Sequence, residues 1–259
     1  MLSVETYQTI TEAAGALGDR SRYIAGGTLV MRAVTYGDQR FDRIVRARQV
    51  DRTIGPDAAG LRIGAGSTMS DILASRDVEF LHTVAKLVGG PAIRNMATVG
   101  GNLFAPNPYG DFTVALLALD AQVVMANGQS ESLESFLLGR DQVRGLVAAV
   151  TVPRIEPGSF RFKKVSRVKP KGISLMSIAV SLKRGDPRVV FGNMGPLPMR
   201  AKAAERALAN GADETAIASA CAVCTEGLQP ADDSLATAWY RNEVAPVHLK
   251  RLLQNGGRS

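Results

Sequence analysis

Arg94-Asn95-Met96-Ala97-Thr98-Val99-Gly100-Gly101-Asn102-Leu103 sets two adjacent glycines beside a hydroxyl and a side-chain amide. Glycine tolerates positive φ and lets a ligand approach the peptide closely. Further upstream, Ala25-Gly26-Gly27-Thr28 repeats the device between a short apolar strand, RYIAGG, and a helix expected to open at Thr28. A helix start offers free N–H groups and the positive end of the peptide dipoles, which favours phosphate. Either diglycine alone reads as an ordinary tight turn. Together they could wrap one pyrophosphate from both sides. Downstream, PNPYGD (106–111) holds prolines and a glycine that forbid a regular helix. Asp111 then reads as the N-cap of FTVALLALD, a place from which its carboxylate could also accept a hydrogen bond from a ligand hydroxyl.

The rest of the chain alternates helix and strand signals around these loops. TITEAAGAL opens with Thr9 and Glu12 in capping-box spacing. RIVRARQV (43–50) reads as a strand, LRIGAG as another, and STMSDILAS as a helix capped by Ser67 or Ser70. The period of VEFLHTVAKLVGG (78–90) is helical and stops at Gly89 and Gly90. DFTVALLALDAQVVMANGQ runs from a helix into a strand and an Asn-Gly turn, and LVAAVTVPR (146–154) is a strand ending at Pro153. IEPGS (155–159) is the best linker. Beyond it FRFKKVSRV and PRVVFGNMG read as strands, and ISLMSIAVSLKRG as a strand or a short helix. Helices follow near 201–210, 212–226 and 243–254, so the last part is α+β.

With 259 residues and 46% hydrophobic composition, two compact units with sizeable cores are the natural expectation. No apolar run approaches the roughly 18 residues of a membrane helix, and the N-terminus lacks a basic start followed by an apolar block. Two cysteines, Cys221 and Cys224, are too few for a disulfide scaffold, and a cytoplasmic location is expected. The net charge of +7 would attract phosphate-bearing ligands or acidic partners; 5% aromatics and no recognised nucleic-acid motif argue against nucleic acid.

AGGTLV, IRNMATVGGNL, the Pro-Asp loop and ALLALDAQVV together resemble the FAD subunit of the xanthine dehydrogenase and carbon monoxide dehydrogenase family of molybdenum hydroxylases. The pattern RN-x-x-T-V-G-G-N is specific, and LRIGAGSTMSDI and WYRNEVAPVHLKRLL extend the likeness over nearly the whole chain. The resemblance implies an α+β chain. A two-subdomain FAD-binding fold of the PCMH (vanillyl-alcohol-oxidase-like) type would occupy 1–154, with subdomains about 1–52 and 53–154. A smaller α+β C-terminal domain would occupy 159–259. It assigns FAD to Ile24, Ala25, Gly26, Gly27, Thr28 and Leu29, to Thr98, Val99, Gly100, Gly101 and Asn102, and to Asp111. By position it adds Val88 and Val147 as apolar lining and Lys163 as a basic residue near the flavin.

The same resemblance implies partners: a molybdopterin-bearing large subunit that oxidises the substrate and a [2Fe–2S] small subunit that relays electrons, as a dimer of heterotrimers. Flavin suits the exit step because it takes and gives electrons singly or in pairs. No side chain here is expected to act as acid, base or nucleophile. The alternative is a stand-alone FAD-dependent oxidoreductase of related fold, which would need its own substrate pocket. A third reading, a scaffold that has lost flavin, conflicts with two intact glycine loops. No cysteine-rich insertion supplies an additional [4Fe–4S] cluster.

Other motifs carry less. Gly64-Ala65-Gly66 follows a strand, but Met69 stands where the third glycine of a Rossmann fingerprint belongs. No P-loop or nucleophile elbow occurs. Cys221-Ala222-Val223-Cys224 lacks a second pair to complete a metal site and is read as structural. His82 and His248 lie far apart and read as packed or surface residues. Arg161, Lys163, Lys164, Arg167, Lys169 and Lys171 form a basic run, either a solvated strand edge or a surface for a partner or for phosphates.

Overall fold

The computed structural model describes residues 2–143, 145–168 and 172–254, so Lys169 and Lys171 of the basic run lie outside the described residues. The chain forms two compact units: 1–105 with 121–153, and 106–120 with 154–259.

The first unit opens with β1 (Ser3–Thr9), α1 (Ile10–Gly15), β2 (Ser21–Tyr23), α2 (Val30–Thr35) and β3 (Arg43–Gln49). The strands form a parallel sheet in the order β1-β3-β2. The capping box at Thr9 and Glu12 is present and starts α1, whose Ala13 packs with Val45, Leu146 and Tyr23. Strand β1 escaped the sequence reading. Its side chains are exposed or half-buried throughout, so no apolar alternation marks it.

Next come β4 (Ile54–Asp57), β5 (Gly60–Gly64), α3 (Met69–Ala74), α4 (His82–Lys86), α5 (Pro91–Arg94) and α6 (Val99–Leu103). α7 (Asp111–Ala118) belongs to the second unit, after which β6 (Gln122–Met125), β7 (Ser130–Ser132), α8 (Leu133–Gly139) and β8 (Val147–Val152) return to the first. The sheet β4-β5-β8-β6-β7 is antiparallel. The cap of α3 is Thr68, in a capping box with Asp71, and neither Ser67 nor Ser70. The single helix expected over 78–90 is a 3-10 turn (Glu79–Leu81) and α4, which stops three residues before Gly89 at φ +52°.

The second unit adds β9 (Phe160–Val165), β10 (Met176–Ser181), β11 (Arg188–Gly192), β12 (Met199–Arg200), α9 (Lys202–Ala207), α10 (Glu214–Val223) and α11 (Ala238–Gln254). Its sheet, β12-β11-β10-β9, is antiparallel. ISLMSIAVSLKRG therefore resolves as a strand. One face, carrying Val165, Met176, Ile178, Val180, Val189 and Phe191, packs against the helices that follow, through Ala204, Ile217, Ala220, Ala245 and Leu249. Arg241, fully buried in α11, donates to the carbonyls of Leu175 and Ala236 and to Asp233 Oδ2 (2.7 Å). Among the described residues no helix is long and apolar enough to cross a membrane.

Candidate functional site: a diglycine turn against the Met96 carbonyl

The first diglycine turn meets the chain that leads into the second, at Met96, within the first unit. A methyl group built on Gly26 would land on the Met96 carbonyl, 2.5 Å from its carbon and 3.4 Å from Ala97 N. Only hydrogen fits there, so residue 26 has to be glycine for the loops to touch. Gly27 follows at φ +75°, a conformation that glycine adopts without strain. β2 delivers this turn: Ile24 N–H donates to Val45 O (2.8 Å), the last sheet bond before the chain leaves β3. α2 starts at Val30, with Leu29 as a cap lacking a side-chain bond, so the expected start at Thr28 is two residues early.

The consequence is a run of main-chain donors. Among the described residues, the N–H groups of Ala25, Gly26, Gly27, Thr28 and Leu29 have no protein acceptor. All five residues are exposed or half-buried, so an anion can reach them. Successive free amides turning through a positive-φ glycine make an anion-binding concavity.

The second segment is built differently. Thr98 caps α6, its Oγ1 accepting Gly101 N–H (3.0 Å), and its backbone forms an isolated antiparallel bridge with Thr68, the cap of α3. Val99 N–H donates to Ser67 O (2.8 Å), Gly100 N–H to Ala65 O (2.9 Å) and Asn102 N–H to Thr98 O (3.0 Å). Asn102 also donates from Nδ2 to Thr98 O (2.9 Å). A methyl on Gly100 would sit 2.9 Å from Ala65 Cβ, and one on Gly101 2.9 Å from Thr98 Oγ1. These glycines therefore permit close packing of α6 and its cap. The amides of 99–102 are spent inside the protein, whereas those of 25–29 are available.

The remaining candidates fall in several places. Val88 is half-buried beside Gly89. Val147 is 5% exposed at the start of β8, paired with Met125. Asp111 and Lys163 belong to the second unit. Asp111 is not the N-cap of its helix; Gly110 holds that position and Asp111 is the first helical residue. The buried Asp111 carboxylate pairs with Lys164 Nζ at 3.1 Å. Strand alternation sends neighbouring side chains to opposite faces, and Lys163 is exposed on the edge strand β9. Sequence reasoning missed Lys164. The run FKK carries two lysines of opposite parity, and nothing local says which one faces inward.

Cys224 is buried and Cys221 half-buried, both as free thiols. Burial, and then the neighbouring Cys221, pushes the Cys224 thiol up to about 12.

Two family models match. One described as the FAD binding domain in molybdopterin dehydrogenase covers residues 1–155, and one described as the CO dehydrogenase flavoprotein C-terminal domain covers residues 161–255. Among curated relatives, the glyceraldehyde dehydrogenase medium chain of Sulfolobus acidocaldarius is 25% identical, over 88% of each chain. The carbon monoxide dehydrogenase medium chain of Hydrogenophaga pseudoflava is 23% identical, over 92% of this chain and 90% of its own. The xanthine dehydrogenase FAD-binding subunit of Escherichia coli O157:H7 is 26% identical, over 78% of this chain and 77% of its own. Among solved structures, carbon monoxide dehydrogenase from Hydrogenophaga pseudoflava superposes with a TM-score of 0.88 at 24% identity, covering 97% of this chain and 96% of that one. Quinoline 2-oxidoreductase from Pseudomonas putida 86 gives 0.85 at 22% identity, covering 99% and 96%. These superpositions carry the fold, and the FAD-binding model spans more than half of the sequence: the chain belongs to the FAD-binding subunits of the molybdopterin dehydrogenase family.

Proposed function

We propose that this chain is the electron-exit subunit of a heteromeric molybdenum hydroxylase, holding FAD by its diphosphate at Ala25–Leu29. The observation that carries the proposal is the set of five unclaimed amides beside a positive-φ glycine, pinned in place by the contact between Gly26 and the Met96 carbonyl. That donor set fits a dinucleotide diphosphate: it offers main-chain hydrogen bonds without introducing a titrating group. The Thr28 hydroxyl adds one further donor. Gly100 and Gly101 keep α6 and its cap in place, because a side chain at 100 would press on Ala65 and one at 101 on the Thr98 hydroxyl.

Val88, Val147, Asp111 and Lys163 are proposed to line the adenine or flavin portions. FAD, when bound, supplies the capacity to accept and release electrons singly or in pairs. The chain's own residues bind and orient it, and none is assigned a proton transfer. The partners proposed are a molybdopterin-containing large subunit and a [2Fe–2S] small subunit, in a dimer of heterotrimers in the cytoplasm. Support comes from relatives named as medium chains and FAD-binding subunits.

Purification of the chain at native levels from its own host tests this. The expected result is co-purification of two further subunits with molybdenum, iron and FAD in fixed ratio. A yellow preparation free of molybdenum and iron, and active by itself, would favour a stand-alone flavin oxidoreductase instead.

A further inference from the structure

The sheet of the second unit has two faces, and the C-terminal chain supplies helices for only one. The other carries Phe162, Lys164, Ser177, Ala179, Val190 and Gly192, as the strand register dictates. Its cover is α7, a helix from the middle of the FAD-binding half of the sequence. All eight residues of α7 are buried. A helix buried on every side belongs to a core. Small residues on the sheet let it approach: a methyl on Gly192 would meet Val114 Cγ2 at 2.7 Å.

Polar contacts clamp the same segment at three points. Asn107 Nδ2 donates to Gly195 O (2.7 Å). Asp111 pairs with Lys164 at 3.1 Å, both side chains less than 10% exposed. Asp120, at φ +57°, pairs with Arg188 at 2.9 Å. Of these, only the Asp111–Lys164 pair is buried on both sides, and breaking one partner of it leaves the other charge without water or counterion.

We infer that Pro106–Asp120 is a strap that completes the C-terminal unit. The chain after residue 154 is not an autonomous domain, and cutting the connector at 155–159 leaves the two pieces joined through the strap. Without α7, the face formed by Ser177, Ala179 and Val190 would stand in water.

A protease site placed between Glu156 and Gly158 of the full chain tests this. After complete cleavage the pieces are expected to co-elute at micromolar concentration. In the same chain carrying D111N and D120N, the dissociation constant of the nicked halves is expected to rise at least about 100-fold. Should that variant fail to accumulate, G192A, which presses on the Ser177 hydroxyl and on Val114, is expected to weaken the association in the same direction. Pieces that separate as two folded monomers overturn the inference. So does a nicked D111N/D120N or G192A protein whose halves hold as tightly as the parent's.

Discussion

Replacing Gly26 by alanine isolates the contact on which the proposed FAD site depends. The added methyl would lie 2.5 Å from the Met96 carbonyl carbon. The methyl would overlap the carbonyl oxygen as well, and ordinary carbon–carbon contact is about 3.5–4.0 Å, so the two loops must part by more than about 1 Å. Overpacking of this kind costs about 1–3 kcal/mol, which lowers the Tm of the flavin-free protein by roughly 2–10 °C. The larger consequence is positional. Hydrogen bonds to a phosphate oxygen tolerate only about half an ångström, so a shift of about 1 Å breaks at least one. At about 1.5–3 kcal/mol for a bond to a charged group, the Kd for FAD rises roughly 10- to 100-fold. Titration calorimetry of the flavin-free protein with FAD measures this. Gly15→Ala is the control, because a methyl there meets nothing within 4 Å; its FAD affinity should match the parent's. If Gly26→Ala binds FAD as tightly as Gly15→Ala does, the argument from loop contact is refuted.

Gly100→Ala should act on stability first: the methyl would sit 2.9 Å from Ala65 Cβ, costing about 1–3 kcal/mol in urea unfolding, while the free amides of 25–29 keep most of their hold on FAD. Lys164→Met should destabilise by about 3–5 kcal/mol because it strands the buried Asp111 carboxylate, whereas Lys163→Met, exposed at the sheet edge, should stay within about 0.5 kcal/mol. Equal effects in denaturant titrations would contradict the strand parity assigned to the pair. Thr98→Val, which removes the cap accepting Gly101 N–H, should cost about 0.5–2 kcal/mol in the same assay. Because burial pushes Cys224 up to about 12, its thiolate is scarce at pH 8, and a disulfide reagent should modify it at least about a thousandfold more slowly than an exposed cysteine until urea is added. Rapid labelling of Cys224 in the folded protein would contradict its burial.

The elements legible in the sequence were those whose patterns are local. The Thr9/Glu12 capping box, the strands at 43–49 and 147–152 and the two diglycine turns all follow from neighbours a few residues apart. What stayed hidden depends on contacts made across long stretches of chain. FTVALLALD reads as a helix, but nothing in it says that all its sides are buried or that it serves the sheet formed after residue 160. Asp111 reads as a cap because Asp is a good one; the buried Lys164 overrides that preference by claiming the carboxylate. The two diglycines look alike in sequence. Their different use, one presenting amides and one permitting packing, emerges only when Ser67 and Ala65 are seen to accept from Val99 and Gly100.

Hydrogen exchange read amide by amide, on the flavin-free protein with and without FAD, tests the central claim most directly. The amides of Ala25 to Leu29 should exchange quickly in the free protein and slow markedly on adding FAD. Those of Val99 to Asn102, already bonded within the protein, should change far less. Exchange at 25–29 that is unaltered by saturating FAD would contradict the account.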